Sequence, residues 1–148
     1  MLMSCLLVLA DARGQAGAIV VNGGNITMSL TTGAAGSEPV AVINTSTSLT
    51  YWRQAADAKI TVQTSCASQA FGLQVVATGV TRGVAQPAVT LTNGMLAVDL
   101  IRTIRRVPSS WTSATATLQY TASATFAQGN SSEMGDDDHT VTYTIVRQ

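Results

Sequence analysis

The amino-acid sequence predicts an all-β protein, an antiparallel β-sandwich of roughly seven to nine strands. Three observations carry that reading. Two long runs alternate strictly between apolar and polar residues, turn-forming residues recur about every ten positions, and no long stretch repeats its apolar residues at the helical period. In residues 114–127, Ala116, Leu118, Tyr120, Ala122, Ala124 and Phe126 fall on one face, with Thr115, Thr117, Gln119, Thr121, Ser123 and Thr125 on the other. In residues 139–146, Val141, Tyr143 and Ile145 point one way and Thr140, Thr142 and Thr144 the other. Successive side chains of a strand project to opposite faces, so each run offers one apolar face to a core.

The other elements follow in chain order. Residues 18–21 and 26–30 flank Asn22-Gly23-Gly24-Asn25, whose tolerance of positive φ predicts a hairpin. After a loop at 33–39, strands are predicted at 40–44 and 49–53, and residues 54–58 turn the chain. Residues 59–64 alternate through Ile60 and Val62, and residues 71–78 through Phe71, Leu73, Val75 and Ala77, with 65–70 as the connection. A second loop at 79–87 leads to a short strand at 89–91, and Asn93-Gly94 reads as a tight hairpin turn into a strand at 95–101. In DLIRTIRR, residues 99–106, Leu100, Ile101 and Ile104 fit one helical face, but Val107-Pro108 stops a helix at once. That segment therefore reads as a strand running into a short helical or irregular connection. The loop at 128–138 is expected to join the two strongest strands as a terminal hairpin.

Composition bounds the class. The 148 residues suit one domain, and 46% apolar content is enough to build a core. Only 11% of residues are charged and the net charge is zero, so Thr and Ser on the outer strand faces must supply solubility. Zero net charge argues against a field that steers nucleic acid, and no nucleic-acid partner is expected. Low charge, abundant hydroxyls and the single lysine, Lys59, point to a secreted or bacterial cell-surface protein. The start MLMSCLLVLA, followed by Ala12, Gly14 and Ala16, reads as a signal peptide over residues 1–16, cleaved after Ala16 or alternatively Ala12. Residues 17–148 then form a single sandwich domain. No basic residue precedes the apolar run, and a first buried strand is the competing reading. A membrane span needs about 20 apolar residues, and Asp11 and Arg13 end this run early. With Cys5 gone, Cys66 would be the sole cysteine and unable to form an internal disulfide. Its QTSCAS context carries nothing to activate a thiol, so it reads as a small buried hydrophobe.

Chemistry-bearing residues are sparse. Glu133, Asp136, Asp137, Asp138 and His139 form the one dense titratable group, on a loop expected to be a solvated acidic end. Asp136 and Asp138 are its weak candidates for cation binding, although consecutive aspartates do not match a calcium loop. His139 is the sole histidine, and no CxxC or HxxxH spacing marks a zinc site. No G-x-S-x-G elbow, paired carboxylates or phosphate-binding loop appears, so neither a catalytic residue nor a cofactor is expected. Arg102, Arg105 and Arg106 read as a local basic surface patch. Trp52 and Trp111 are weak candidates for a sugar-binding platform, against a competing role as core anchors.

In its signal-like start, its Thr-rich outer faces, the segment TLQYTASATF and the closing HTVTYTIV, the chain resembles secreted bacterial pilin-like and immunoglobulin-like sandwich subunits. Chaperone-assembled pilins commonly carry a disulfide, which this chain without Cys5 could not. The resemblance implies a secreted or surface structural protein, adhesive or assembled into a filament through sheet edges, with itself or other surface proteins as partner. Residues 17–30 would then be the strand offered to a neighbour's sheet edge. The alternative is an extracellular carbohydrate- or ligand-binding module, and an enzyme comes third.

Overall fold

The computed structural model describes residues 5–7 by their backbone, and residues 17–31, 36–54, 56–106, 112–128 and 134–148 in full. Two five-stranded sheets pack face to face as a β-sandwich. The first sheet runs in the order β1 (Cys5–Leu7), β10 (His139–Arg147), β4 (Ala58–Ser65), β8 (Val98–Ile104) and β6 (Val84–Ala85). The second runs β2 (Gly17–Asn22), β3 (Val42–Arg53), β9 (Ala114–Ser123), β5 (Gly72–Thr78) and β7 (Val89–Thr90). All neighbours pair antiparallel except β1 and β10, which run parallel.

The alternation that predicts the strands also sets the core. Ile60 and Val62 of β4 and Val141, Tyr143 and Ile145 of β10 face Leu49 and Tyr51 of β3, Leu118 and Tyr120 of β9, and Leu73 and Val75 of β5, all buried. Each large aliphatic side chain so enclosed stabilises the fold by roughly 1.5–3 kcal/mol. Thr115, Thr117 and Thr121 of β9 and Thr140, Thr142 and Thr144 of β10 lie on the outer faces, whereas Thr47 of β3 and Thr64 of β4 are buried.

Several connections differ from the sequence reading. β9 and β10 do not form a hairpin, because they belong to opposite sheets. Both strands present an apolar face, and those faces are buried against each other across the core. Likewise Asn93-Gly94 keeps a turn, with Gly94 at φ 71°, but carries the chain from β7 in one sheet to β8 in the other. Gly23 and Gly24, at φ 109° and 67°, turn the chain out of β2 as expected. The following residues nevertheless join no ladder, although Ile26 and Met28 are buried.

The two strands expected at 40–44 and 49–53 merge into β3, with a register shift between Asn44 and Thr47. There Asn44 Oδ1 accepts from the Ser46 N–H at 3.0 Å and the Ser46 hydroxyl at 2.8 Å, which fixes the irregular step. In DLIRTIRR the strand wins. β8 reaches Ile104, with register shifts against β4, both Leu100 and Ile101 buried, and Thr103 at φ 56°. Phe126 leaves the inward face assigned to it. It is 60% exposed in a short 3-10 turn, Phe126–Gln128, and its N–H donates to Glu38 Oε2 at 2.6 Å.

Candidate functional site

The β4–β10 ladder brings distant residues together at one end of the sandwich. Thr140 pairs with Ser65 and Val141 with Thr64, so one further step sets His139 opposite Cys66. His139 shares the inward face with Val141, Tyr143 and Ile145, and Cys66 shares that of Ile60, Val62 and Thr64. Asp137 continues the period-two spacing beyond the strand and also turns inward. Donor atoms of Cys66, Asp137 and His139 all lie within 4.8 Å of one another. The three residues are 2%, 0% and 1% exposed.

Hydrogen bonds anchor each member. The N–H groups of Ala70 and Phe71 donate to the two Asp137 carboxylate oxygens, both at 2.9 Å, tying the 65–70 connection to the last loop. The Cys66 N–H donates to Asn93 Oδ1 at 2.9 Å. Gln69 braces the same connection, accepting from the Asn93 N–H at 2.6 Å and donating to the Leu91 carbonyl at 2.8 Å. Burial pushes the Cys66 thiol up, the Asp137 charge adds to that, and hydrogen bonds from Ser68 and the Asp138 backbone work the other way. Burial also lowers His139 below the ordinary 6.5, against the attraction of Asp137 and Asp138.

The His139 ring has one satisfied nitrogen. Its Nδ1 lies 3.1 Å from Thr64 Oγ1, which also donates to the Thr140 carbonyl at 3.2 Å. A hydroxyl has one proton. With that proton on the Thr140 carbonyl, Thr64 must accept from Nδ1–H, which leaves the lone pair on Nε2. Nε2 is buried and has no hydrogen-bond partner among the described residues. A thiol, an imidazole and a carboxylate thus converge, and this donor set suits a transition-metal ion. A nucleophilic role fits poorly, because the buried thiol stays protonated.

The residues singled out from sequence fall elsewhere. Asp136 and Asp138 are exposed and flank the buried Asp137. Trp52 is half-buried on the outer face of β3, paired with Ala18, at the opposite end of its sheet. Trp111, Glu133 and the proposed cleavage positions lie outside the described residues. Cys66 is buried and free, as its context predicts. Arg102 pairs with Asp99 at 2.8 Å, while Arg105 and Arg106 border an open surface cavity. Cys66, Asp137 and His139 escaped notice as a set because their meeting depends on the β4–β10 register.

A second feature is the outer edge of β10. β1 covers only His139, Thr140 and Val141 of it, and among the described residues no strand pairs with the outer edge from Thr142 onward. Residues 17–22, part of the segment expected to pair with a neighbour, are instead hydrogen-bonded to β3 within the same chain. No described helix is long and apolar enough to cross a membrane. Compared with protein-family models, curated proteins and solved structures, the chain matches none.

Proposed function

We infer that this protein is a secreted or cell-surface structural subunit, non-catalytic, which adheres or assembles through the β10 edge. The observation that carries the reading is the identity of the strand on that edge. β1 is Cys5–Leu7, inside the segment that reads as a signal peptide. Export would remove it and leave the outer edge of β10 without that strand. An unpaired edge presents a row of backbone N–H and C=O groups, a template for a strand from another chain. Of the other sheet ends, β6 and β7 are only two residues long, while β2, at six residues, is the other edge long enough to pair. The outward Thr142 and Thr144 of β10 suit a wet, uncharged contact between copies.

The test is to export the full chain from a bacterial host, map the mature N-terminus by mass spectrometry, and examine the product by size-exclusion chromatography and electron microscopy. The reading expects cleavage near Ala16 and linear oligomers, which a peptide of residues 1–10 disperses by capping the edge. A cleaved protein that stays monomeric at high concentration contradicts it. A monomer that binds glycans and loses them on Trp52→Ala or Trp111→Ala would favour the binding-module reading instead.

A further inference from the structure

We propose that Cys66, Asp137 and His139 form a binding site for a thiophilic divalent metal ion, zinc by preference, at the end of the β4–β10 ladder. The donor types are those of zinc: a thiolate sulfur, an imidazole nitrogen and a carboxylate oxygen. The strongest single observation is His139 Nε2, a nitrogen without a hydrogen-bond partner among the described residues, on a side chain that is 1% exposed. A buried polar atom without a partner costs about 1–3 kcal/mol, and coordination would relieve it. The Thr64 contact on Nδ1 supplies the outer support that metal-bound histidines typically have, fixing the tautomer with its lone pair on Nε2.

Charge points the same way. Asp137 is a fully buried carboxylate, and the ion pairs among the described residues, Lys59–Asp99 at 2.7 Å and Arg102–Asp99 at 2.8 Å, lie elsewhere. Its two oxygens each accept one backbone N–H and keep a further lone pair. A divalent cation held by one carboxylate and one thiolate gives a neutral centre, which a buried position favours.

Geometry needs a modest closure. Zinc bonds of about 2.0–2.3 Å set tetrahedral ligands roughly 3.3–3.6 Å apart, against separations here of up to 4.8 Å. Both Asp137 and Cys66 lie just outside strands, where the backbone is freer to adjust. An open surface cavity of about 450 Å³ reaches Cys66, Gln69, Phe71 and Asn93 on the outer side of the cluster. Three protein ligands leave a fourth position for water or an incoming group. Cys66, on binding, releases its proton to solvent.

The experiment uses the full chain carrying Cys5→Ser, so that Cys66 is the sole thiol, reduced with a phosphine, stripped by chelator and titrated with Co²⁺ and then Zn²⁺. The proposal expects one Co²⁺ per chain, with tetrahedral d–d bands and a near-ultraviolet sulfur-to-cobalt charge-transfer band, all displaced by Zn²⁺. Zn²⁺ should also raise the melting temperature. Cys66→Ser should abolish the charge-transfer band, and His139→Gln should abolish tight binding. Thr64→Val, which leaves all three ligands in place, should keep the band and weaken affinity about 10–100-fold. A folded protein that binds neither ion, a cobalt spectrum without the thiolate band, or binding undiminished by Cys66→Ser would each overturn the proposal.

Discussion

The hydroxyl oxygens of Tyr120 and Tyr143 lie 2.5 Å apart in the buried core, joining β9 of one sheet to β10 of the other. Each ring is flanked on its inward face by apolar side chains, Leu118 and Ala122 beside Tyr120 and Val141 and Ile145 beside Tyr143, so the pair is a polar tie in apolar surroundings. Replacing one tyrosine by phenylalanine removes the bond and leaves the other hydroxyl without its cross-core partner. Replacing both removes the two groups together. Urea unfolding should therefore show a loss of about 1–2 kcal/mol for Tyr120→Phe or Tyr143→Phe alone. The double variant should lose less than the sum, a coupling that a double-mutant cycle measures directly.

Asp137 differs from its neighbours in what it holds. Asp137→Ala removes the acceptor for two N–H groups, at Ala70 and Phe71, and should cost about 2–4 kcal/mol. Amide exchange at those two residues should quicken. Asp136→Asn and Asp138→Asn, at exposed positions, should change stability by less than about 0.5 kcal/mol. Chelator in the buffer keeps this comparison independent of any bound metal.

Tyr51 makes the fold sensitive to alkali. It is buried and donates its hydroxyl to the Arg82 carbonyl at 2.6 Å, and burial raises its pKa above the ordinary 10.0, against the smaller effects of that bond and of the Arg82 charge. Folded protein therefore keeps the phenolic proton where the unfolded chain releases it. The stability linked to that proton is complete below pH 10.0 and is lost as pH rises from there through the raised folded value. Tyr51→Phe should flatten the alkaline part of the stability profile. At neutral pH the same variant should cost about 1 kcal/mol for the bond removed.

Thr103 sits at φ 56°, a conformation unfavourable for a β-branched residue by roughly 1–2 kcal/mol. Its side chain is exposed, and its N–H donates to Gln148 Oε1 at 2.8 Å, which any residue but proline can reproduce. Asparagine tolerates that region better. Thr103→Asn should raise stability by about 1 kcal/mol in urea unfolding, whereas Thr103→Val should give no gain.

Much of this fold was legible because a period of two fixes which face each residue occupies. Leu118, Tyr120, Val141, Tyr143 and Ile145 are all buried, on the faces the alternation assigns. Alternation specifies a face and not a partner, so β9 and β10 looked like a hairpin while belonging to opposite sheets. Asn93-Gly94 misled in the same way: its turn chemistry is local, but the sheet each flanking strand joins is decided by packing. The Cys66, Asp137 and His139 cluster lay hidden for a related reason. Counting back by twos from Val141 marks His139 and Asp137 as inward, within a charged run that composition alone assigns to solvent. Joining them to Cys66 required the β4–β10 register, which depends on pairing across most of the chain.

The assembly account rests on the outer edge of β10, and hydrogen exchange read residue by residue on the exported protein tests it most directly. Amides of residues 142–146 that point away from β4 should exchange quickly in the dispersed protein and become strongly protected in the oligomer. Those pointing toward β4 should be protected in both states. If the outward amides exchange equally fast before and after assembly, or the protein never assembles, the β10 edge is not the seam.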